Sequence, residues 1–184
     1  MTTHKVEEFE NELGEQVVRF TYTGDEGPDF ESEKPESKIS LSRLNHISIG
    51  CADPQRLGKF YKNVLGFSEL PRPDLPFGGI WLSFPDSPPP FPILHIIETD
   101  PKYKEDNEAR AAIEQKYHKL PEFIRRGRHL AFESANIEEI KQQLVARRIS
   151  FQINVVPGSR AQQCFFLDPE GFGIEVLERK ESSV

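Results

Sequence analysis

Two stretches of the chain repeat one pattern in register, and this repeat restricts the fold more than any other feature. LNHISIGCADPQRLGKFYKNVLGF and GRHLAFESANIEEIKQQLVARRISF each open with residues of alternating polarity and run on into a segment of helical period. In the first, Ile47 and Ile49 share one face of a strand and His46 and Ser48 the other; Leu57, Phe60, Tyr61 and Val64 then form an apolar stripe. In the second, Leu130 and Phe132 oppose His129, and Ile137, Ile140 and Leu144 form the stripe. His46 to Asp53 and His129 to Asn136 are both seven residues, His46 to Leu57 and His129 to Ile140 both eleven, and His46 to Tyr61 and His129 to Leu144 both fifteen. Asp53, followed by Pro54, and Asn136 are the expected helix N-caps, and Gly66 suits the first helix's stop.

Each unit continues into strands. GGIWLSF and PILHIIE follow the first, with a weaker strand around SELPRP; SFQINVV, QQCFFL and FGIEVLE follow the second. Asp168-Pro169-Glu170-Gly171 joins the last two as a tight turn, because proline presets φ and glycine takes the positive φ that closes it. Both halves therefore read as βαβββ. The expected organisation is an acidic, flexible N-terminal segment over residues 1–40 and a folded unit over 41–180. Within that unit the first module spans 41–99 and the second 128–180, with a connecting stretch over 100–127 that is helix-like from Ala109 to Leu120. Val17–Tyr22 is a short apolar segment able to add an edge strand or pack on the body.

Charge narrows the partners. Residues 1–40 carry eleven acids against four bases, which accounts for the whole formal net charge of −7. The acidic balance argues against a nucleic-acid or anionic-membrane partner. No apolar run approaches the length of a membrane span, and the opening residues have no apolar stretch of signal-peptide type. Two cysteines, Cys51 and Cys164, make no disulfide framework and are expected to pack as small hydrophobes, so the cytoplasm is the expected location.

Four residues break the apolar pattern of the strands: His46 in NHISI, His95 in ILHII, His129 in RHLAF and Glu175 in GIEVL. Alternation puts each on the sheet face opposite the residues that pack on the helices. Any one of them alone is satisfied by water or a hydrogen bond. Together they occupy the first and last strands of two repeated modules, and three imidazoles with a carboxylate suit a divalent first-row metal. An ion would also explain a carboxylate at position 175, where an unpaired buried charge costs several kcal/mol.

These segments resemble the vicinal oxygen chelate superfamily, the group that contains glyoxalase I. QQCFFLDPEGFGIEVLE is the most specific stretch, supported by LNHISIGCADPQRLGKFYKNVLGF, PILHII and GRHLAFES. The resemblance implies an α+β fold in which paired βαβββ modules form a curled mixed sheet around a metal cleft. It implies metal ligands at His46, His95, His129 and Glu175, one divalent ion (Zn, Ni, Mg, Mn or Fe) and a small-molecule substrate, in a monomer or a homodimer. The implied activity is a metal-dependent lyase or isomerase of glyoxalase I type, with Glu175 as the proton-transfer base.

One position departs from that family's pattern. Glyoxalase I carries a glutamate where this chain has His95, and Glu98, three residues along the strand, falls on the other face. His46, His129 and Glu175 alone would make the two-histidine, one-carboxylate set of an Fe(II) extradiol-type dioxygenase. A non-catalytic small-molecule-binding protein is the third alternative. Arg160, in PGSRAQQ, is the candidate for meeting an anionic substrate, and Trp81 is expected in the core or lining a cavity.

Overall fold

The computed structural model describes residues 4–11, 14, 16–23, 44–85, 92–100, 102, 120, 124–155 and 161–178. Arg160, the greater part of the connecting stretch 100–127 and the polar stretch 24–43 lie outside them. Contacts divide the chain into two units, Met1–Asn45 and His46–Val184.

In the first unit, β1 (His4–Glu10) and β2 (Gln16–Tyr22) pair antiparallel as a two-stranded ribbon, with Val6 opposite Phe20 and Phe9 opposite Val17. The Arg19 guanidinium lies 4.8 Å from the Phe9 ring centroid. The apolar segment at Val17–Tyr22 is thus a strand, and its partner is β1.

The second unit holds the two modules. The first runs β3 (Ile47–Cys51), α1 (Pro54–Asn63), β4 (Ser68–Leu70), β5 (Gly79–Ser83) and β6 (Pro92–Glu98). The second runs β7 (His129–Ser134), α2 (Ile137–Ala146), β8 (Phe151–Val155), β9 (Gln162–Leu167) and β10 (Gly173–Glu178). Both helices start as the sequence predicts. The Arg56 backbone N–H donates to Asp53 Oδ1 at 3.0 Å, and the Glu139 N–H donates to Asn136 Oδ1 at 3.1 Å. Each satisfies an N–H that the first helical turn leaves without a partner. Gly66, past the end of α1, sits at φ +76°, and Gly171 at φ +78° closes the turn between β9 and β10.

The sheets have the same plan, β3-β6-β5-β4 and β7-β10-β9-β8, with one parallel pair (β3 with β6, β7 with β10) and otherwise antiparallel ladders. The expectation of one curled sheet around a cleft is corrected here. Among the described residues the two modules form separate four-stranded sheets, each open, with β3 and β7 at sheet edges and no ladder joining them. Burial gives the reason. The helix-facing residues of both sheets enter a single core: Ile49, Ile80, Leu82, Leu94 and Ile96 from the first, Cys164, Phe166, Ile174 and Val176 from the second. Leu57 and Tyr61 of α1 and Ile137 and Leu144 of α2 complete it. Burying each sheet's apolar face in that common core satisfies the hydrophobic drive without closing either sheet on itself.

Aromatic packing joins the modules across the core. Phe60 lies 6.5 Å from Phe166 and Phe67 lies 6.0 Å from Phe132, centroid to centroid. A smaller cluster of Ile124, Phe165 and Leu167, with Leu120 against it, covers part of the second sheet's other face. Among the described residues no helix is long and apolar enough to cross a membrane.

Candidate metal centre

Alternation along the strands decides which side chains leave the core. On β6, Leu94 and Ile96 point into it, so His95 between them points out; on β10, Ile174 and Val176 point in and Glu175 points out. The same argument places Trp81 of β5, Gln163 of β9 and His129 of β7 on the outer faces, and His46 precedes β3 on the side of Ser48. All four predicted residues therefore lie on the sheet faces turned away from the common core.

The structure brings them together as two pairs. His46 and His95 stack with ring centroids 4.0 Å apart and planes 14° apart. Trp81, the cross-strand partner of His95, stacks on it at 4.4 Å and 8°. His95 is thus held between two flat rings, 9% exposed, and its Nε2 has no hydrogen-bond partner among the described residues. Burial, followed by the neighbouring His46, lowers its pKa and favours the neutral imidazole, which is the form that ligates metals. Glu98 is engaged elsewhere, accepting from the Gly78 N–H at 2.9 Å.

In the second module, His129 Nε2 lies 2.9 Å from Glu175 Oε2, and His129 Nδ1 lies 2.9 Å from the Gly127 carbonyl. Gln163 Nε2 donates to the other carboxylate oxygen, Glu175 Oε1, at 2.5 Å. The Phe165 ring meets His129 edge-on at 5.7 Å. Glu175 is 5% exposed, yet each of its carboxylate oxygens has a partner.

The donor chemistry of this cluster fits a cation. A carbonyl oxygen accepts only, so the Nδ1 contact requires a proton on Nδ1. An ionised carboxylate also accepts only, so the Nε2 contact requires a second proton, or a cation in its place. An imidazole whose Nδ1–H is tied to a backbone carbonyl while Nε2 faces a carboxylate is oriented as a metal ligand is oriented by its surroundings. The unpartnered Nε2 of buried His95 fits the same use. The two pairs do not merge: among the described residues no three His, Cys, Asp or Glu side chains are placed to hold one ion.

One contributor carries no signal in the sequence. Gln163 sits in QQCFFL beside an apolar run, and only its register opposite the end of β10 reveals that it reaches Glu175. Trp81, expected in the core or lining a cavity, stacks on a candidate ligand. Cys51 and Cys164 are fully buried free thiols, as expected.

Comparison with known proteins agrees with this architecture. The family described as Glyoxalase/Bleomycin resistance protein/Dioxygenase superfamily matches residues 43–176. Glyoxylase I 4 of Arabidopsis thaliana is 26% identical over 147 residues, covering 78% of this chain and 75% of the plant protein. The lactoylglutathione lyase of Schizosaccharomyces pombe is 25% identical over 151 residues, covering 80% of this chain; the chain spans about half that enzyme's length (48%). Among solved structures, a glyoxylase/bleomycin resistance protein/dioxygenase domain from Frankia sp. EAN1pec superposes with a TM-score of 0.51 at 18% identity, over 77% of this chain and all of that one (100%). The chain belongs to the glyoxalase/bleomycin resistance protein/dioxygenase superfamily.

Proposed function

We propose that this protein is a metal-dependent lyase or isomerase of glyoxalase type, acting on a small substrate that offers two neighbouring oxygens. The observation that supports it most is the His129–Glu175 pair, whose hydrogen bonding calls for a proton or a cation between imidazole and carboxylate. A protein site for a divalent ion needs three or four ligands, and each outer face supplies two. We therefore place the complete site between two copies of the chain, His46 and His95 of one facing His129 and Glu175 of the other. A divalent ion held there would supply Lewis acidity to a pair of substrate oxygens. The side chains do the rest. On substrate binding Glu175 Oε2 would leave the ion to take and return a proton at the substrate carbon, while Gln163 holds Oε1 in place. His95, clamped by Trp81, keeps a neutral ring nitrogen presented.

The separation of the two pairs favours one other reading, a small-molecule-binding protein without catalysis. The dioxygenase set of His46, His129 and Glu175 is not assembled within one chain, and no observation favours it over these two. Trp81 is the protein's single tryptophan, so its emission reports directly on His95. Zinc or nickel titrated into chelator-treated protein, with tryptophan emission and light-scattering mass followed together, tests the proposal. One ion per chain, an emission change, a dimer mass and loss of all three in His129→Ala support the metal-dependent reading. No saturable metal uptake leaves the binding-protein reading in its place.

A further inference from the structure

We infer a second binding site, for a small planar aromatic molecule bearing a hydrogen-bond donor, in a cavity of about 590 Å³ along the open edge of β7. Residues 129–133 of β7 line it from both faces of the strand, which is possible because β7 has no ladder neighbour on that side among the described residues. The opposite wall comes from β3, β6 and the end of β5. This volume falls in the range that small-molecule sites occupy.

The lining selects the ligand. Phe84 and Phe132 lie nearly parallel, 5.8 Å apart and 10° inclined, and Phe67 meets both edge-on at 5.6 and 6.0 Å. The cluster offers ring faces and ring edges together, the two surfaces against which another aromatic ring packs. Phe84 is 39% exposed at this wall, so a bound ring would remove apolar surface from water. On β7, His129, Ala131 and Glu133 share one face, with the imidazole and the carboxylate about 13 Å apart at strand spacing. The methyl of Ala131 between them leaves a notch that a larger side chain would fill. Glu133 accepts hydrogen bonds and repels anions, so a phenol or aryl amine suits the cavity and an aryl sulfonate does not.

This site does not rest on the metal-dependent reading, with which it shares only His129. The test uses 2-naphthol titrated into the full chain, followed by calorimetry and by the probe's own fluorescence, with and without a chelator. Saturable one-to-one binding that persists in chelator is expected, with naphthalene-2-sulfonate at least tenfold weaker. Phe84→Ala should weaken binding about fivefold, the scale of one lost aromatic contact. Ala131→Trp should weaken it beyond tenfold, and Glu133→Gln should admit the sulfonate. Phe84, Ala131 and Glu133 are partly or fully exposed, and an unchanged melting temperature confirms that each variant folds. Absence of saturable binding in the wild type, binding only in metal-loaded protein, or wild-type affinity in Ala131→Trp would each overturn the inference.

Discussion

The Tyr61 hydroxyl, on the helix of the first module, donates to Asp168 Oδ2 in the turn of the second at 3.1 Å, and both side chains are fully buried. The other oxygen, Oδ1, accepts the backbone N–H groups of Glu170 and Phe172, each at 2.9 Å. One carboxylate thus closes the Asp-Pro-Glu-Gly turn and ties it to the neighbouring module. Tyr61→Phe removes a single oxygen and leaves Oδ2 buried without a donor, a loss of about 1–3 kcal/mol. Urea denaturation of the two proteins measures it; equal midpoints and slopes would show that the bond contributes nothing.

The same carboxylate makes stability depend on pH. Burial raises Asp168 from 3.8 to about 6, against the lowering effect of its three hydrogen bonds. Between about pH 4 and pH 6 the folded protein holds this proton more tightly than the unfolded chain does. Stability therefore falls as pH rises through that window and levels off above it. A rise of about two pH units corresponds to about 3 kcal/mol. Asp168→Asn, which cannot titrate but keeps an acceptor for the turn, should lack this component. Denaturation of both proteins at pH 4.5 and 7.5 gives the comparison, and parallel pH dependence would refute the assignment.

Gly173 controls the approach of β10 to β7. A methyl group at this position would lie 2.8 Å from the Arg128 carbonyl and 2.8 Å from His129 Cβ. Neither neighbour is the free end of a flexible chain, so Gly173→Ala must shift the strand carrying His129. Overpacking of this kind costs about 1–3 kcal/mol. The expected result is lower stability together with weakened metal uptake, read by thermal melting and metal titration. A variant that melts early yet binds metal normally would separate the packing effect from the site.

Gln163 can be tested for its hold on Glu175 apart from any structural role. Its Oε1 is buried without a partner among the described residues, so Gln163→Leu sheds an unsatisfied group as it loses the bond to Glu175. Glu175 Oε1 is left without that donor, so stability should fall, by no more than about 1–3 kcal/mol because the shed group offsets part of the loss. Metal affinity should fall roughly 10- to 100-fold, the scale for removing a residue that orients a ligand. Competition with a chromophoric chelator reads the affinity, and an unchanged value would leave Gln163 without a positioning role.

Much of this arrangement was legible in the chain itself, for local reasons. Helix starts at Asp53 and Asn136 follow from short polar side chains that cap their own backbone, and the turn at Asp168–Gly171 follows from proline and glycine geometry. The outward faces of His95 and Glu175 follow from two-residue alternation. What was not legible depends on contacts distant in sequence. Tyr61 and Asp168 are 107 residues apart, and the packing of Phe67 on Phe132 depends on how two finished modules meet. Alternation assigns a side chain to a face without saying where that face points in the assembled molecule. For this reason the open sheets, and the division of the four residues into two pairs, emerged only from the structure. The reach of Gln163 to Glu175 was hidden similarly, since it runs diagonally across a ladder.

The common core has a further consequence. The chain is written twice, but the interior is shared: Leu57 and Tyr61 of the first helix belong to the same cluster as Ile137 and Leu144 of the second. Neither copy of the motif owns a complete interior. A calorimeter should therefore see one transition from the two modules, with matching calorimetric and van't Hoff enthalpies. Duplication is visible in the letters and erased in the thermodynamics.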